Sequence, residues 1–78
     1  MSISNQDVEA LIQKNIPDAT LIKVEGDGYK YETTVVSESF SGLNTLKRHQ
    51  AVYAAVDSAI KSGELHALTI HAKTPDEA

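Results

Sequence analysis

The three histidines are the side chains of this sequence best suited to metal chemistry, because a neutral imidazole binds transition metals near neutral pH. His49 lies three residues from both Leu46 and Val52, which favours a structural histidine on the buried side of a helix, hydrogen-bonded to a loop. His71 falls on the polar face of a predicted strand and is expected to be exposed. His66 stands at the start of that strand, after a glycine turn, where spacing alone also favours a structural role.

Lys47 and Arg48 form the only dense basic group of the sequence, next to His49. They are the candidate surface for an acidic partner or a nucleic acid. The favoured interpretation is a solvated face, since the formal net charge of the chain is −4. The same negative charge disfavours binding to nucleic-acid backbones and to anionic lipid, and no membrane partner is expected.

No residue pattern in the sequence indicates catalysis. Cysteine is absent, and no serine stands in a Gly-x-Ser-x-Gly nucleophile motif. The glycines of Gly26-Asp27-Gly28 precede a predicted strand, whereas those of dinucleotide-binding and phosphate-binding loops precede a helix. We therefore expect a binding protein without catalytic residues and interpret these glycines as a hairpin turn.

The first half of the sequence predicts a helix followed by a β-hairpin. Ser4 begins a capping-box pattern, apolar residues then recur at helical spacing, and Pro17 ends the helix. Residues 20–25 alternate between apolar and polar types, and residues 29–36 are rich in β-branched and aromatic types. Phe40 is expected to pin the following loop to the core.

The second half predicts a long helix, kinked or split, and a third strand. An apolar helical stripe begins at Leu43 and ends at Ser62-Gly63, and residues 65–72 alternate again. Residues 74–77, Thr-Pro-Asp-Glu, have the order of a further helix start. The predicted core consists of Ile22, Val24, Val35, Leu46, Val56, Leu68 and Ile70.

The element order is therefore α-β-β-α-β across one predicted domain, residues 1–78. A three-stranded mixed sheet with helices on one face would bury all of these apolar faces at once, so the fold class is α/β, more narrowly α+β. The hairpin is antiparallel, and the helical crossover permits a parallel third strand. Neither a membrane span nor a secretory signal is recognisable, and the expected location is cytoplasmic.

Several segments, in this order and spacing, resemble the BolA family: Val-Glu-Gly-Asp-Gly at 24–28, Phe-Ser-Gly at 40–42, Lys-Arg-His-Gln-Ala-Val-Tyr at 47–53, Leu-His-Ala-Leu-Thr-Ile at 65–70 and Thr-Pro-Asp-Glu at 74–77. The resemblance implies an α-β-β-α-α-β fold similar to a type II KH domain. It also implies a monothiol glutaredoxin as partner, with a [2Fe–2S] cluster shared between the two proteins. His66 matches the family's C-terminal histidine, a proposed cluster ligand, and imidazole can replace thiolate on iron as in Rieske centres. Alone, the chain is expected to bind no cluster and to be a monomer or weak homodimer.

The hairpin departs from the family pattern. Many members carry a second histidine or a cysteine there, whereas this chain has Tyr29-Lys30-Tyr31, with Lys30 at the matching position. A protonated lysine has no lone pair for iron, so the second ligand is left open.

The alternative function implied by the family is a stress-response transcriptional regulator that binds nucleic acid. The Gly-x-x-Gly loop of KH domains is absent, because Gly42 has no second glycine at the required distance.

Overall fold

The computed structural model describes residues 3–78 of the chain. The first element is helix α1 (Asn5–Asn15). The Ser4 hydroxyl oxygen accepts a hydrogen bond from the Asp7 N–H at 3.0 Å, which satisfies one free donor of the first turn. Val8 and Ile12 are buried, and the helix ends before Pro17 as predicted. Capping and spacing therefore predicted this element correctly.

Strands β1 (Ala19–Gly26) and β2 (Lys30–Ser37) form the predicted antiparallel hairpin. Gly28 has a φ of 95°, a conformation that residues with a side chain rarely adopt. Gly26 serves a different purpose, since a Cβ atom there would lie 2.5 Å from Cδ2 of the Tyr31 ring. The two glycines thus permit the reversal and a close approach of the backbone to a buried ring.

Strand β3 (Ala67–Lys73) pairs with β2 in parallel and completes a sheet of order β1-β2-β3. The mixed three-stranded sheet is confirmed. The strand begins at Ala67 rather than at the predicted residue 65, so His66 lies immediately before it. Because β3 has only one neighbouring strand, it forms an edge of the sheet.

The predicted long helix is split into α2 (Thr45–Ala55) and α3 (Asp57–Lys61), with Val56 between them. The Asn44 side-chain oxygen caps α2 by accepting a hydrogen bond from the Lys47 N–H at 2.9 Å. A short 3₁₀ turn (Glu38–Phe40) precedes it, and Phe40, only 1% exposed, anchors that loop in the core as predicted.

The core lies between one face of the sheet and the helices. Side chains of β2 alternate, so that Tyr31, Thr33 and Val35 point into the core while Glu32 is exposed on the opposite face. The core cluster consists of Val8, Ile12, Ile16, Tyr31, Val35, Phe40, Val52, Ala55, Val56, Ala59, Leu65 and Ile70. The helices therefore cover one face of the sheet, as predicted.

Leu46 does not belong to the core, and its prediction as a core residue was wrong. Its side chain is 64% exposed, whereas Val52 and Ala55 are the buried residues of α2. Six residues of helix separate Leu46 from Val52, which places them about 120° apart around the axis. Tyr53 lies on the exposed side with Leu46, and its hydroxyl donates to the Leu68 carbonyl at 3.3 Å. The buried side of α2 carries Val52 and Ala55, so size and apolarity assigned Val52 correctly and Leu46 incorrectly.

The other predicted core residues do contribute. Val35, Val56 and Ile70 are buried. Ile22, Val24 and Leu68 are partly buried and pack against the cluster. Between residues 3 and 78, no helix has the length and apolarity needed to cross a lipid bilayer.

Residues 74–77 form a single helical turn rather than a further helix. The Glu77 N–H donates to the Thr74 carbonyl at 3.0 Å, and the Thr74 N–H donates to Oε1 of Glu77 at 2.8 Å. The bond from the Thr74 N–H to the Glu77 side chain is one half of a capping box, which agrees with the predicted helix start.

Candidate functional site

The hairpin turn and the beginning of β3 lie side by side at one end of the sheet. Parallel pairing places Lys30 opposite Ala67, so the residues just before them, Tyr29 and His66, are also neighbours. Their ring centroids are 5.6 Å apart and the ring planes are inclined by 33°. Both side chains are exposed. Two surface aromatic rings distant in sequence therefore meet where the family resemblance places a metal ligand.

The Asp27 carboxylate fixes the turn that carries Tyr29. Its Oδ1 atom accepts hydrogen bonds from the N–H groups of Tyr29 and Lys30, both at 2.9 Å. The Asp27 N–H donates to the Lys30 carbonyl at 3.2 Å. The pKa of the Asp27 carboxyl is lowered, because the N–H of Lys30 and, to a smaller extent, that of Tyr29 stabilise its charged form. The side chain of Asp27 therefore fixes the backbone of the turn to which it belongs.

Tyr31 has a structural role although it is close in sequence to Tyr29. It is 3% exposed, its ring packs over Gly26, and its hydroxyl donates to the Ile3 carbonyl. The difference arises because Tyr31 lies within β2, on the face that contacts the core, whereas Tyr29 belongs to the turn that precedes the strand. Of the Tyr29-Lys30-Tyr31 segment, Tyr29 and Lys30 are available at the surface.

His66 is placed by the short segment that joins α3 to β3. Gly63 has a φ of 81° and ends the helical segment. The N–H groups of Glu64 and Leu65 both donate to the Ala59 carbonyl at 3.1 Å, and Leu65 is buried. The chain is therefore anchored directly before His66, whose imidazole is exposed and makes no hydrogen bond to any of residues 3–78.

The other two histidines are in different environments. His71 lies on the exposed face of β3, as predicted, and its Nε2 is 2.8 Å from Oε2 of Glu32. His49 is half-buried on α2, on the side that the spacing indicated. The loop hydrogen bond predicted for His49 is not found within residues 3–78. Only His66 combines exposure with ring nitrogens that have no partner in this part of the chain.

Arg48 makes structural contacts, although it was predicted to form a surface with Lys47. Its Nε donates to the Leu43 carbonyl at 2.9 Å and its Nη1 to the Ala72 carbonyl at 3.3 Å. The guanidinium also binds both carboxylate oxygens of Glu77, at 2.6 and 3.3 Å. The Arg48 side chain is 15% exposed. A partner surface formed by Lys47 and Arg48 stays a prediction. Of the two side chains, Lys47 is the exposed one.

Gly42, a secondary candidate, lies in the loop before α2 with a φ of 80°. A Cβ atom there would have no neighbour within 4 Å, so the backbone conformation, rather than a close approach, requires glycine.

The donor set of the described residues fits a single metal ligand and not a complete metal site. No group of three or more His, Cys, Asp or Glu side chains in residues 3–78 is arranged to hold a metal ion. The whole sequence contains no cysteine, and thiolates are the usual ligands of iron–sulfur clusters. A cluster bound at His66 would therefore need thiolate ligands from another molecule.

Tyr29 is the residue that sequence reasoning missed. Its neighbour Lys30 was singled out by alignment with the family pattern, but Tyr29 makes the contact with His66. The contact follows from parallel pairing of β2 and β3 in one register. The apolar and polar pattern of each strand does not show which residues of β2 and β3 lie opposite each other.

Comparisons with known proteins agree with this fold and place the chain in a family. Residues 8–77 match the family model for BolA-like proteins. The acid stress protein IbaG of Escherichia coli is 29% identical over 75 residues, which cover 96% of this chain and 88% of IbaG.

Two solved structures are similar over nearly their whole lengths. A BolA homologue from Coxiella burnetii is 35% identical with a TM-score of 0.85, covering 96% of this chain and 95% of that chain. The BolA domain of SufE1 from Arabidopsis thaliana is 29% identical with a TM-score of 0.84, covering 100% and 99%. The family match, the sequence relatives and the shared fold together show that this chain belongs to the BolA-like protein family.

Proposed function

We propose that this protein is a non-enzymatic adaptor that binds a monothiol glutaredoxin and shares a [2Fe–2S] cluster with it, in iron–sulfur cluster trafficking or in iron and redox regulation. Membership of the BolA-like family supports the proposal, and the likeness to the BolA domain of SufE1 is consistent with an iron–sulfur related role. The observation that carries it is the exposed His66 imidazole, without a hydrogen-bond partner among residues 3–78.

Ligand chemistry explains why the cluster would have to be shared. A neutral imidazole can replace one thiolate on an iron of a [2Fe–2S] centre, as in Rieske proteins. The chain has no thiol of its own, so the remaining ligands come from the glutaredoxin or from glutathione. The isolated protein is then colourless, and it contributes His66 when the partner brings the cluster.

The structure favours His66 over the other histidines for this role. His71 would have to leave the Glu32 carboxylate before binding iron through Nε2. His49 is half-buried on α2 and cannot approach a partner as freely. Lys30 occupies the hairpin position where many relatives carry a ligand, and an ammonium group has no lone pair for iron.

No observation favours the nucleic-acid alternative. The formal net charge is −4, and the Arg48 guanidinium already binds Glu77 and two backbone carbonyls. Lys47 remains as a single exposed cation on α2, whereas phosphate backbones are bound by several cations together.

The proposal is tested by mixing the purified protein with a cluster-loaded monothiol glutaredoxin and recording the visible circular dichroism. We expect a spectrum different from that of the glutaredoxin homodimer and a higher reduction potential, because imidazole donates less charge to iron than thiolate. His66→Ala should abolish the change without altering the far-ultraviolet spectrum. His71→Ala is the matched control, since it removes an exposed imidazole from the strand that follows His66, and it should behave as the wild type.

The His66 assignment fails if the His66→Ala protein still gives the wild-type spectrum of the mixed complex. The adaptor proposal fails if the wild-type protein produces no spectral change at all. Titration of duplex DNA with the wild-type protein provides the comparison, and binding that weakens steeply with salt would support the alternative function.

A further inference from the structure

The contact between Tyr29 and His66 is the only aromatic pair among residues 3–78. Both rings are exposed, and Tyr29 is 62% exposed. Burial therefore does not account for the contact. Strand pairing brings the hairpin turn and the segment before β3 together, and the contact joins two side chains that would otherwise lie in solvent independently.

The backbone is fixed on both sides of this pair. The Asp27 carboxylate holds the Tyr29 and Lys30 N–H groups at 2.9 Å. On the other side, hydrogen bonds before His66 and strand pairing after it fix the chain. No hydrogen bond within residues 3–78 restrains the imidazole itself, so the aromatic contact with Tyr29 is the described interaction that can restrict its rotation.

The geometry leaves the imidazole free to bind a metal. The ring centroids, 5.6 Å apart, lie within the range of aromatic contacts, and the contact uses neither imidazole nitrogen as a hydrogen-bonding atom. The lone pair through which a neutral imidazole binds a metal lies in the ring plane, on one nitrogen. His66 is exposed and no hydrogen bond within residues 3–78 occupies its nitrogens, so a metal would not have to displace a partner there.

We propose that Tyr29 is a positioning residue for His66, holding the imidazole in one orientation before the partner arrives. The consequence for cluster sharing rests on the function proposed above. Ordering an exposed side chain on binding reduces affinity, and a side chain already ordered avoids that loss. Removing the Tyr29 ring should therefore raise the apparent Kd of the mixed complex about two- to tenfold.

The first measurement uses the isolated protein and needs no partner. Nuclear Overhauser contacts between the two rings, and the coupling constants that report χ1 of His66, are compared for the wild type, Tyr29→Ala, Tyr29→Phe and Lys30→Ala. We expect Tyr29→Ala to give rotamer-averaged couplings. Tyr29→Phe should keep the ring contact and the single rotamer, because the hydroxyl has no part in stacking. Lys30→Ala is the control for a change in the same turn.

The second measurement titrates each variant with cluster-loaded monothiol glutaredoxin. Tyr29→Ala should weaken the mixed complex, and Tyr29→Phe and Lys30→Ala should match the wild type. A single His66 rotamer in Tyr29→Ala, or an unchanged Kd for that variant, would overturn the inference. So would a Tyr29→Phe protein as weak as Tyr29→Ala, since the hydroxyl would then be responsible.

Failure of the proposed function gives a different result. If the wild-type protein forms no mixed complex, the adaptor proposal is lost, but the couplings of His66 still decide whether Tyr29 orders the ring. Thermal unfolding of each variant excludes a general loss of structure, which is not expected for a side chain as exposed as Tyr29.

Discussion

Replacement of Arg48 by methionine should destabilise the fold, because this guanidinium connects three parts of the chain. It donates to the Leu43 carbonyl before α2, to the Ala72 carbonyl on β3 and to the Glu77 carboxylate in the final turn. Methionine keeps most of the aliphatic stem and removes only the charged donors. The change therefore measures the contacts of the guanidinium rather than the loss of packing.

The expected magnitude follows from the two carbonyl contacts. Hydrogen bonds that involve a charged group contribute about 1.5 kcal/mol or more each, so the pair amounts to about 3 kcal/mol. The side chain is 15% exposed, and water can reach part of the vacated space, which lowers the expected loss to about 2 kcal/mol. For a domain of this size, a loss of 2 kcal/mol corresponds to a fall in Tm of about 8–16 °C.

Urea and thermal unfolding, followed by far-ultraviolet circular dichroism, measure this loss. Lys47→Met is the matched control, because it removes the neighbouring charge from an exposed side chain and should change the free energy of unfolding by less than about 0.5 kcal/mol. Equal effects of the two variants would refute the structural role of Arg48 and would return both cations to the candidate partner surface.

Two further outcomes follow from the same structure. The hydrogen bond from Arg48 lowers the pKa of Glu77 from 4.5 to about 2, so the stabilisation by this carboxylate is present above pH 4.5 and is lost as the pH falls towards 2. In acid titrations of unfolding, Glu77→Gln should remove that part of the pH dependence, and an unchanged profile would contradict the assignment. Ile70→Ala should cost about 2–5 kcal/mol and Leu46→Ala less than about 0.5 kcal/mol in urea unfolding. The reverse order would mean that the buried face of α2 is misassigned.

The sequence predicted helix ends and turns correctly where a single residue determines the backbone conformation. Ser4 caps α1, and Gly28 occupies the left-handed region that the hairpin requires. These features depend on neighbours within a few residues, so no knowledge of the tertiary structure was needed. Strand boundaries were less accurate, and β3 begins two residues later than predicted.

Long-range features could not be predicted in the same way. Leu46 was placed in the core because it is large and apolar, whereas the space between α2 and the sheet admits Ala55 at 5% exposure. His66 was selected through family resemblance, since its spacing favoured a structural role. Its partner Tyr29 depends on the register between β2 and β3, which only the folded chain defines.

Two side chains of α2 contact the backbone of β3, one of the two edge strands of the sheet. An edge strand is a template for intermolecular pairing when its backbone groups are free. On β3, the Leu68 carbonyl accepts from the Tyr53 hydroxyl and the Ala72 carbonyl accepts from Arg48. A strand from another molecule that paired along β3 would have to compete with these two donors for the carbonyls. Tyr53 and Arg48 therefore disfavour intermolecular pairing at this edge while they hold α2 against the sheet.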